Sequence, residues 1–596
     1  MKKRTRIISL ILALVMALSL VACTAKQETG TTKEKEPTAS NEPAKKDEPA
    51  AKKDTEEKKE PAETTKDEPA EPVSKEIDRS EKVTLTIGLG KRADVSDYDD
   101  NRLTQWLEES CNVDIEFVFY NGSEIATQIA TQIAANEKLP DIFYGIDLPR
   151  ETYLGYTADG YFVNMAQWLK DEEFMANYDI LEWMEKDFTQ QTIEAYWKSV
   201  TNTDDGGIYQ LARYAESVID GDYVMCHINK TWLDQLGLDI PTDFESFVNC
   251  LIAFRDNDPN GNGLADEIPF IGNAVFTNNM TAWFDPLLWV INAFVYDNEV
   301  HVFNADEDGN LYIPTMTDEY REALRSIKYL VDEGLLSTTS FTMQSKAEFA
   351  PTVNAEDGVL RVGCYCGHSS NIDDKKSDIP YNYVSIAPFT YAPYCMNFTL
   401  CSAISSECEH PDRAMDILLH LLSREGELRQ LNGVPEEDWT EVKDEADGNI
   451  KLKVLNPDAF RGNTNRTWGL GGLTVMSRTT PYFTTTPEYK EPATEMGYND
   501  YFTWDSAQYR IAYEEKNVQN TPANQPYVIP LSVAQAEEVG SMKQELFDYV
   551  RQARAEFCTG IKDIDNDAHW NAYLEACRTI GADELVRIYQ EAYNAN

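Results

Sequence analysis

Along the body of the chain, apolar residues recur with two distinct periods. Val83-Thr84-Leu85-Thr86-Ile87-Gly88 is a short apolar run closed by glycine and predicts a buried strand. Leu103, Trp106, Leu107 and Cys111 then share one helical stripe. Val113 to Tyr120 alternates as a second strand, and Ile125, Ile129 and Ile133 recur at every fourth position on a second helix. Leu139-Pro140-Asp141-Ile142-Phe143 is a third apolar run. Strand, helix, strand, helix, strand is the order of a parallel sheet with helical cover, and ligands of such sheets sit beyond the strand carboxyl ends. That rule puts Gly90-Lys91-Arg92 and Tyr144-Gly145-Ile146-Asp147 at the edge of a cleft. Further on, Thr242-Asp243-Phe244-Glu245 predicts a capped helix start with Phe244, Phe247, Val248 and Leu251 facing in. Thr317 opens another helix, with Tyr320, Leu324, Ile327 and Val331 inward and Gly334 as its stop. Ser532-Val533-Ala534-Gln535 leads into a helix-rich carboxyl end. No internal repeat or second low-complexity segment interrupts residues 83–596.

The amino terminus follows a different rule. Lys2, Lys3, Arg4 and Arg6 precede an apolar run of 16 residues from Ile7 to Ala22, short of the roughly 20 that span a bilayer. Residues 1–22 are the expected signal peptide. The run ends in Leu20-Val21-Ala22-Cys23, which resembles the bacterial lipobox. There, cleavage before the cysteine leaves a lipid-modified thiol as the new amino terminus, so Cys23 is the expected anchor. Residues 24–82 carry Glu, Lys, Pro, Ala and Thr with almost no large apolar side chain. Such a segment buries too little to offset ordering entropy, and 23–82 is expected to be anchor plus disordered tether.

Charge narrows the function. The chain has 53 Lys plus Arg against 102 Asp plus Glu, a formal charge of −49. The leader's four basic residues and the tether's 13 basic against 17 acidic cancel, so the folded body carries the whole imbalance. Nucleic acid is excluded as a partner, because phosphate recognition needs a basic footprint. The body would be poorly attracted to an anionic membrane surface, which leaves the lipid anchor as the membrane attachment. Ten cysteines besides Cys23 are scattered through the body without the spacing of a disulfide scaffold or a zinc site. Paired and free states are both compatible with the sequence, although a bridge within Cys364-Tyr365-Cys366 would be strained.

The sharpest chemical motif is Asp258-Pro259-Asn260-Gly261-Asn262-Gly263-Leu264-Ala265-Asp266-Glu267. Oxygen donors at positions 1, 3, 5 and 9, with glycine at 6, follow the ligand rhythm of an EF-hand loop. Position 12 is Pro269, so Glu267 is the available substitute for the usual glutamate, with the Leu264 carbonyl at position 7. Asp258, Asn260, Asn262, Leu264, Asp266 and Glu267 are the expected ligands of a structural Ca2+. A metal-free turn rich in Asx residues is the competing reading.

Several motifs then combine in a telling order. Asn136-Glu137-Lys138-Leu139-Pro140-Asp141-Ile142-Phe143 is followed by Asp159-Gly160-Tyr161-Phe162-Val163-Asn164-Met165 and Gly207-Ile208-Tyr209-Gln210-Leu211. Ile228-Asn229-Lys230-Thr231-Trp232-Leu233-Asp234-Gln235-Leu236-Gly237 comes next. With the lipobox and tether, this series resembles the extracellular solute-binding proteins of carbohydrate ABC importers, in the branch of the maltodextrin- and alginate-binding proteins. The resemblance implies an α/β, two-lobed periplasmic-binding-protein-like fold of type II with a hinge between the lobes. Lobe 1 would take residues 83–215 and 390–430, lobe 2 residues 216–389 and 431–596. It implies no catalysis. A monomer on the outer face of the cell membrane would capture an oligosaccharide and pass it to the transmembrane subunits of an ABC permease.

The resemblance also implies where ligand contacts gather, and sugar sites combine stacked aromatics with charged and amide groups. The corresponding stretches offer Lys91, Arg92, Tyr144, Asp147, Arg213, Tyr214 and Glu216 in the first lobe. Trp283, Asp285, Tyr365, His368 and Trp468 are offered by the second. Cys-Tyr-Cys stands where maltodextrin binders show tryptophan, which argues against a starch-type ligand, and the body's acidity argues for a neutral one unless Lys91, Arg92 or Arg213 line the cleft. The alternative function is a secreted carbohydrate-active enzyme, which needs two placed carboxylates. No HExxH, GxSxG or Walker pattern supports one.

Overall fold

The computed structural model describes residues 76–595 apart from 94, 123, 188–189, 218–225, 275–284, 298–301, 344–347, 350–351, 353–358, 368–382, 387, 392–394, 444–449, 456–466, 470–474, 477–525 and 527. The expected signal peptide, Cys23 and most of the expected tether lie outside these residues.

The first stretch reads β1 (Val83–Gly90), α1 (Arg102–Cys111), β2 (Val113–Tyr120), α2 (Ile125–Ala135), β3 (Ile142–Phe143), α3 (Arg150–Ala158) and β4 (Leu211–Ser217). Next come β5 (Cys226–Asn229), α4 (Phe244–Asp256), β6 (Ile268–Ile271), α5 (Pro286–Ile291), α6 (Asp318–Asp332), β7 (Val362–Cys366) and β8 (Tyr383–Ile386). β9 (Cys395–Ile404), α7 (Pro411–Leu422) and β10 (Val475–Met476) follow, and the chain closes with α8 (Val533–Val539), α9 (Met542–Cys558), α10 (Asp567–Ile580) and α11 (Ala582–Ala595).

Two sheets organise these elements. The six-stranded sheet has the order β10-β4-β9-β3-β1-β2, and the four-stranded sheet β8-β5-β7-β6. β1 runs parallel to β2 and β3, as the strand–helix–strand order predicts, while β9 runs antiparallel to both β3 and β4. Each sheet has its own core. Leu85, Ile87, Leu103, Leu107, Val113 and Ile142 lie in the first, and Ile228, Phe247, Leu251, Phe270, Leu324 and Ile327 in the second. This is a mixed α/β, two-lobed architecture. The chain passes from one sheet to the other after Ser217 and returns before Cys395.

Local chemistry explains the boundaries. Asn101 caps α1 by accepting the Leu103 amide, and Asn112 ends it in the left-handed region. The Pro-Asp motif ahead of β3 is a clamp. The Asp141 carboxylate accepts from both the amide and the hydroxyl of Thr86 at 2.8 and 2.7 Å, and its own amide donates back to the Thr86 hydroxyl at 2.8 Å. Gly88 is required where β1 passes Pro140, because a Cβ there would lie 2.5 Å from the proline ring. α4 begins at Asp243 with a reciprocal capping box to Ser246, and it buries Phe247, Cys250, Leu251 and Phe254. The predicted stripe on α6 shifts by one residue at its end, with Leu330 buried in place of Val331.

Two boundaries move. Residues ahead of Val83 already belong to the body, because Ile77 packs on the first core and Arg79 forms a two-pronged pair with the buried carboxylate of Asp416 on α7, at 2.6 and 2.7 Å. Residues beyond 430 also do not pass directly to the second lobe. Trp468 sits in the first core, and β10 pairs with β4. Sequence proximity to the carboxyl-terminal helices conceals that return.

Nine cysteines (111, 226, 250, 364, 366, 401, 408, 558 and 577) are free and buried among the described residues. Also among them, no helix is long and apolar enough to cross a membrane.

Candidate functional site

Strand register builds the site. Gly88 of β1 pairs with Phe143 of β3, and Gly90 pairs with Tyr120 of β2. Beyond these ends the backbone stays in step. The amides of Lys91, Tyr144 and Ile146 donate to the carbonyls of Tyr120, Gly88 and Cys401 at 2.9 Å each. On β9, Ala403 lies opposite Phe143 while Thr399 lies opposite Arg213 of β4. Lys91, Asp147 and Arg213 therefore reach one edge of one sheet, from segments more than a hundred residues apart at the extremes. Gly145, with φ of 64°, turns the chain between the strand end and Asp147.

At that edge, Arg213 donates to Asp147 Oδ2 at 2.7 Å. The pair is part-exposed, with 34% of the Asp147 side chain and 25% of the Arg213 side chain accessible. Burial pushes the Asp147 carboxyl above its usual range, and the Arg213 charge and hydrogen bond pull it back only in part. A half-desolvated ion pair of this kind can exchange hydrogen bonds with the hydroxyl rim of a bound molecule. Lys91 is exposed, with its ammonium 5.1 Å from the Phe119 ring centre. The Arg92 amide donates to the Tyr98 hydroxyl at 2.8 Å.

Other predicted contacts turn inward. Tyr144 is buried, donates to Gln430 Oε1 and packs edge-on against Trp468 at 5.3 Å. Trp468 is itself buried and donates to the Thr104 hydroxyl at 2.8 Å. It belongs to the first core, not to a second-lobe surface. Asp285 is fully buried, caps α5 through the Leu287 and Leu288 amides, and pairs with Arg554 of α9 at 2.7 Å. Tyr365 is fully buried in β7, stacked on His227 at 4.7 Å and edge-on to Tyr383. Trp283 and His368 lie outside the described residues, as do the side chains of Tyr214 and Glu216. Sequence reasoning passed over Phe119. Its alternation with Val113, Ile115 and Phe117 marks it as core, yet at the end of β2 it is 41% exposed. Its place at a strand carboxyl end was the available signal.

The acidic loop is folded by its own side chains. The Asp258 carboxylate accepts from the Asn262 and Gly263 amides, and the Asn260 oxygen accepts from Asn262. The side-chain amides of Asn260 and Asn262 both donate to Asp266 Oδ1, while Arg361 donates to Asp266 Oδ2 at 2.7 Å. Glu267 Oε1 is buried with no hydrogen-bond partner. Burial raises its carboxyl, and Asp258 and Asp266 add to the effect against two backbone hydrogen bonds. An orphan buried acceptor beside two carboxylates and two amide oxygens is a donor set that fits a hard cation. Cys111, Asp416 and His420 also converge, with Sγ to Nδ1 at 3.5 Å. There Asp416 is engaged by Arg79, Tyr178 and His420.

Known proteins resemble this chain in sequence and fold. A scan against protein-family models finds no match. The chain is 22% identical over 513 residues to the fructooligosaccharide ABC transporter substrate-binding protein FusA of Streptococcus pneumoniae, covering 84% of this chain and 87% of that one. It is 25% identical over 245 residues to the lipoprotein LipO of Bacillus subtilis, covering 40% and 44%. Among solved structures, an extracellular solute-binding protein from Bifidobacterium longum subsp. infantis superposes with a TM-score of 0.66 at 22% identity, covering 86% of this chain and 98% of that one. FusA itself, as an EF-hand mutant in complex with fructo-nystose, gives 0.61 at 19% identity over 86% and 99%. The fold is that of the two-lobed solute-binding proteins. The relatives named for a function are substrate-binding components of transport, not enzymes.

Proposed function

We propose that this chain is the capture receptor of a carbohydrate ABC importer. It is held by a lipidated Cys23 on the outer face of the cell membrane, binds a neutral oligosaccharide between its lobes and delivers it to the permease. The observation that carries this reading is the convergence of Lys91, Asp147 and Arg213 on one sheet edge, in a fold whose relatives include a fructooligosaccharide-binding protein. The body's net charge of −49 supports a neutral ligand, and Asp147 offsets one of the two positive charges that Lys91 and Arg213 bring to the edge. In this reading a hinge joins the lobes, and closure brings the second lobe over the edge. The lipoprotein character of LipO supports the anchor. The orphan Glu267 oxygen and the EF-hand of FusA support Ca2+ in the acidic loop as a structural staple.

Calorimetric titration of the body (residues 76–596) against kestose, maltotriose, xylotriose, mannotriose and trigalacturonate tests the reading. At least one neutral sugar should bind with roughly micromolar Kd, about −8 kcal/mol, without turnover. Flat titrations across the neutral sugars, or release of shorter sugars, would overturn it.

A further inference from the structure

The exposed ring of Phe119 is not an isolated surface residue. It stands at the carboxyl end of β2, one residue before Tyr120, which pairs with Gly90. It lies parallel to Phe117 with ring centres 6.0 Å apart and 13° between the planes, and Tyr98 packs edge-on against both rings, at 5.4 and 4.7 Å. Phe117 continues edge-on to the buried Trp468 at 5.5 Å, and Trp468 to Tyr144. The ring is thus the outermost member of an aromatic series rooted in the first core, and its orientation is set from behind. Tyr98 is fixed in turn by the Arg92 amide on its hydroxyl.

We infer that Phe119 is a stacking platform for one sugar ring of the ligand, with Lys91 as its exchangeable cover. This deepens, and rests on, the oligosaccharide-binding reading. A rigidly held aromatic face at a cleft edge offers what the apolar face of a sugar ring needs, a flat surface already desolvated on its inner side. The Lys91 ammonium lies over that ring at 5.1 Å, a cation–π contact that shields an otherwise wet aromatic face. A sugar ring that takes the ammonium's place gains the stacking contact. The displaced ammonium, three donors on a flexible stem, then reaches the hydroxyl rim of the same ring. Asp147 and Arg213, farther along the same edge, are left to hold a different part of the molecule. The ligand chemistry this selects is a chain of at least two neutral rings, one flat-faced and stacked, the other bound through its hydroxyls.

The test uses the tightest neutral trisaccharide of the panel above, with wild type, Phe119→Ala, Phe119→Trp and Phe119→Leu. Phe119→Ala should weaken binding about tenfold. Phe119→Trp should keep wild-type affinity, with the added indole changing its emission at saturating sugar relative to the wild-type background. Phe119→Leu, apolar but not aromatic, should fall with the alanine variant. Because the ring is at the surface, all four should melt within a few degrees of one another. Unchanged affinity in Phe119→Ala, equal binding by Phe119→Leu and wild type, or no emission change in Phe119→Trp would each overturn the platform. Failure of wild type to bind any sugar would instead overturn the receptor reading.

Discussion

Two aspartate–arginine pairs in this molecule have the same length and different work. Asp147–Arg213 and Asp285–Arg554 are both 2.7 Å apart, but the first is a quarter to a third exposed while the second is 0% and 3% exposed. In the interior of the second lobe, Asp285 caps α5 and ties it to α9, so both charges are consumed by the fold. At the edge of the first sheet, water still reaches Asp147 and Arg213. Distance does not distinguish a pair sealed in the interior from one that water reaches. Burial separates these two.

The comparison breaks most visibly from the buried side. Arg554→Met leaves the Asp285 charge uncompensated in the interior and should cost about 3–5 kcal/mol in a urea melt, while adding Asp285→Asn should recover part of the loss. A loss below about 1 kcal/mol would make the two pairs equivalent. Arg213→Ala should do the opposite, weakening sugar binding by about 2 kcal/mol, roughly thirtyfold, with stability changed by less than about 1 kcal/mol. Affinity should also fall on acidification through the raised Asp147 pKa, because protonation removes its acceptor; a pH series of titrations checks both.

The Arg79–Asp416 pair lies between these extremes, with one partner buried and one 40% exposed. Burial alone would raise Asp416, but hydrogen bonds from Arg79 and His420 hold it at about 2. A depressed folded-state pKa gives stability that is present above the unfolded value near 3.9 and lost as pH falls through about 2. Arg79→Met should cost about 1.5 kcal/mol at pH 7, discounted for the exposed guanidinium. That gap should narrow as the pH drops, because the variant's Asp416 protonates early. Equal gaps at pH 7 and pH 4 would show that Arg79 does not hold Asp416 ionised, and no gap at either pH would show that the pair carries no stability. Smallest is the acidic loop, where millimolar Ca2+ should raise the melting temperature by roughly 3 °C and chelator should reverse it. Glu267→Gln should abolish that shift, and an intact shift would remove Glu267 from the site.

How far the sequence reaches differs between fold and site for a physical reason. β1, β2, α1 and α2 were legible because their signal is local: the apolar period is written in consecutive residues, and Asn101 and Asn112 mark helix ends within a turn. The positions of Lys91 and Asp147 beyond the ends of β1 and β3 were legible because the strand–helix order fixes where strands end. Tyr144, Asp285, Tyr365 and Trp468 have the right residue types for a sugar site, yet what turned them inward lies far along the chain. Gln430 is 286 positions from Tyr144, Thr104 is 364 from Trp468, and Arg554 is 269 from Asp285. No local pattern encodes those partners. Arg79 was hidden for the same reason inside a tether-like composition, and Phe119 was hidden by a good β alternation that continues one residue past the cover of its core.

Hydrogen–deuterium exchange of the body, with and without the tightest neutral trisaccharide, tests the central claim most directly. Ligand should slow exchange in peptides spanning Leu89–Arg92, Tyr144–Asp147 and Leu211–Arg213, with the buried Asp285–Arg554 region unchanged. Protection that leaves all three segments untouched and falls elsewhere would contradict the assignment of this sheet edge as the binding site.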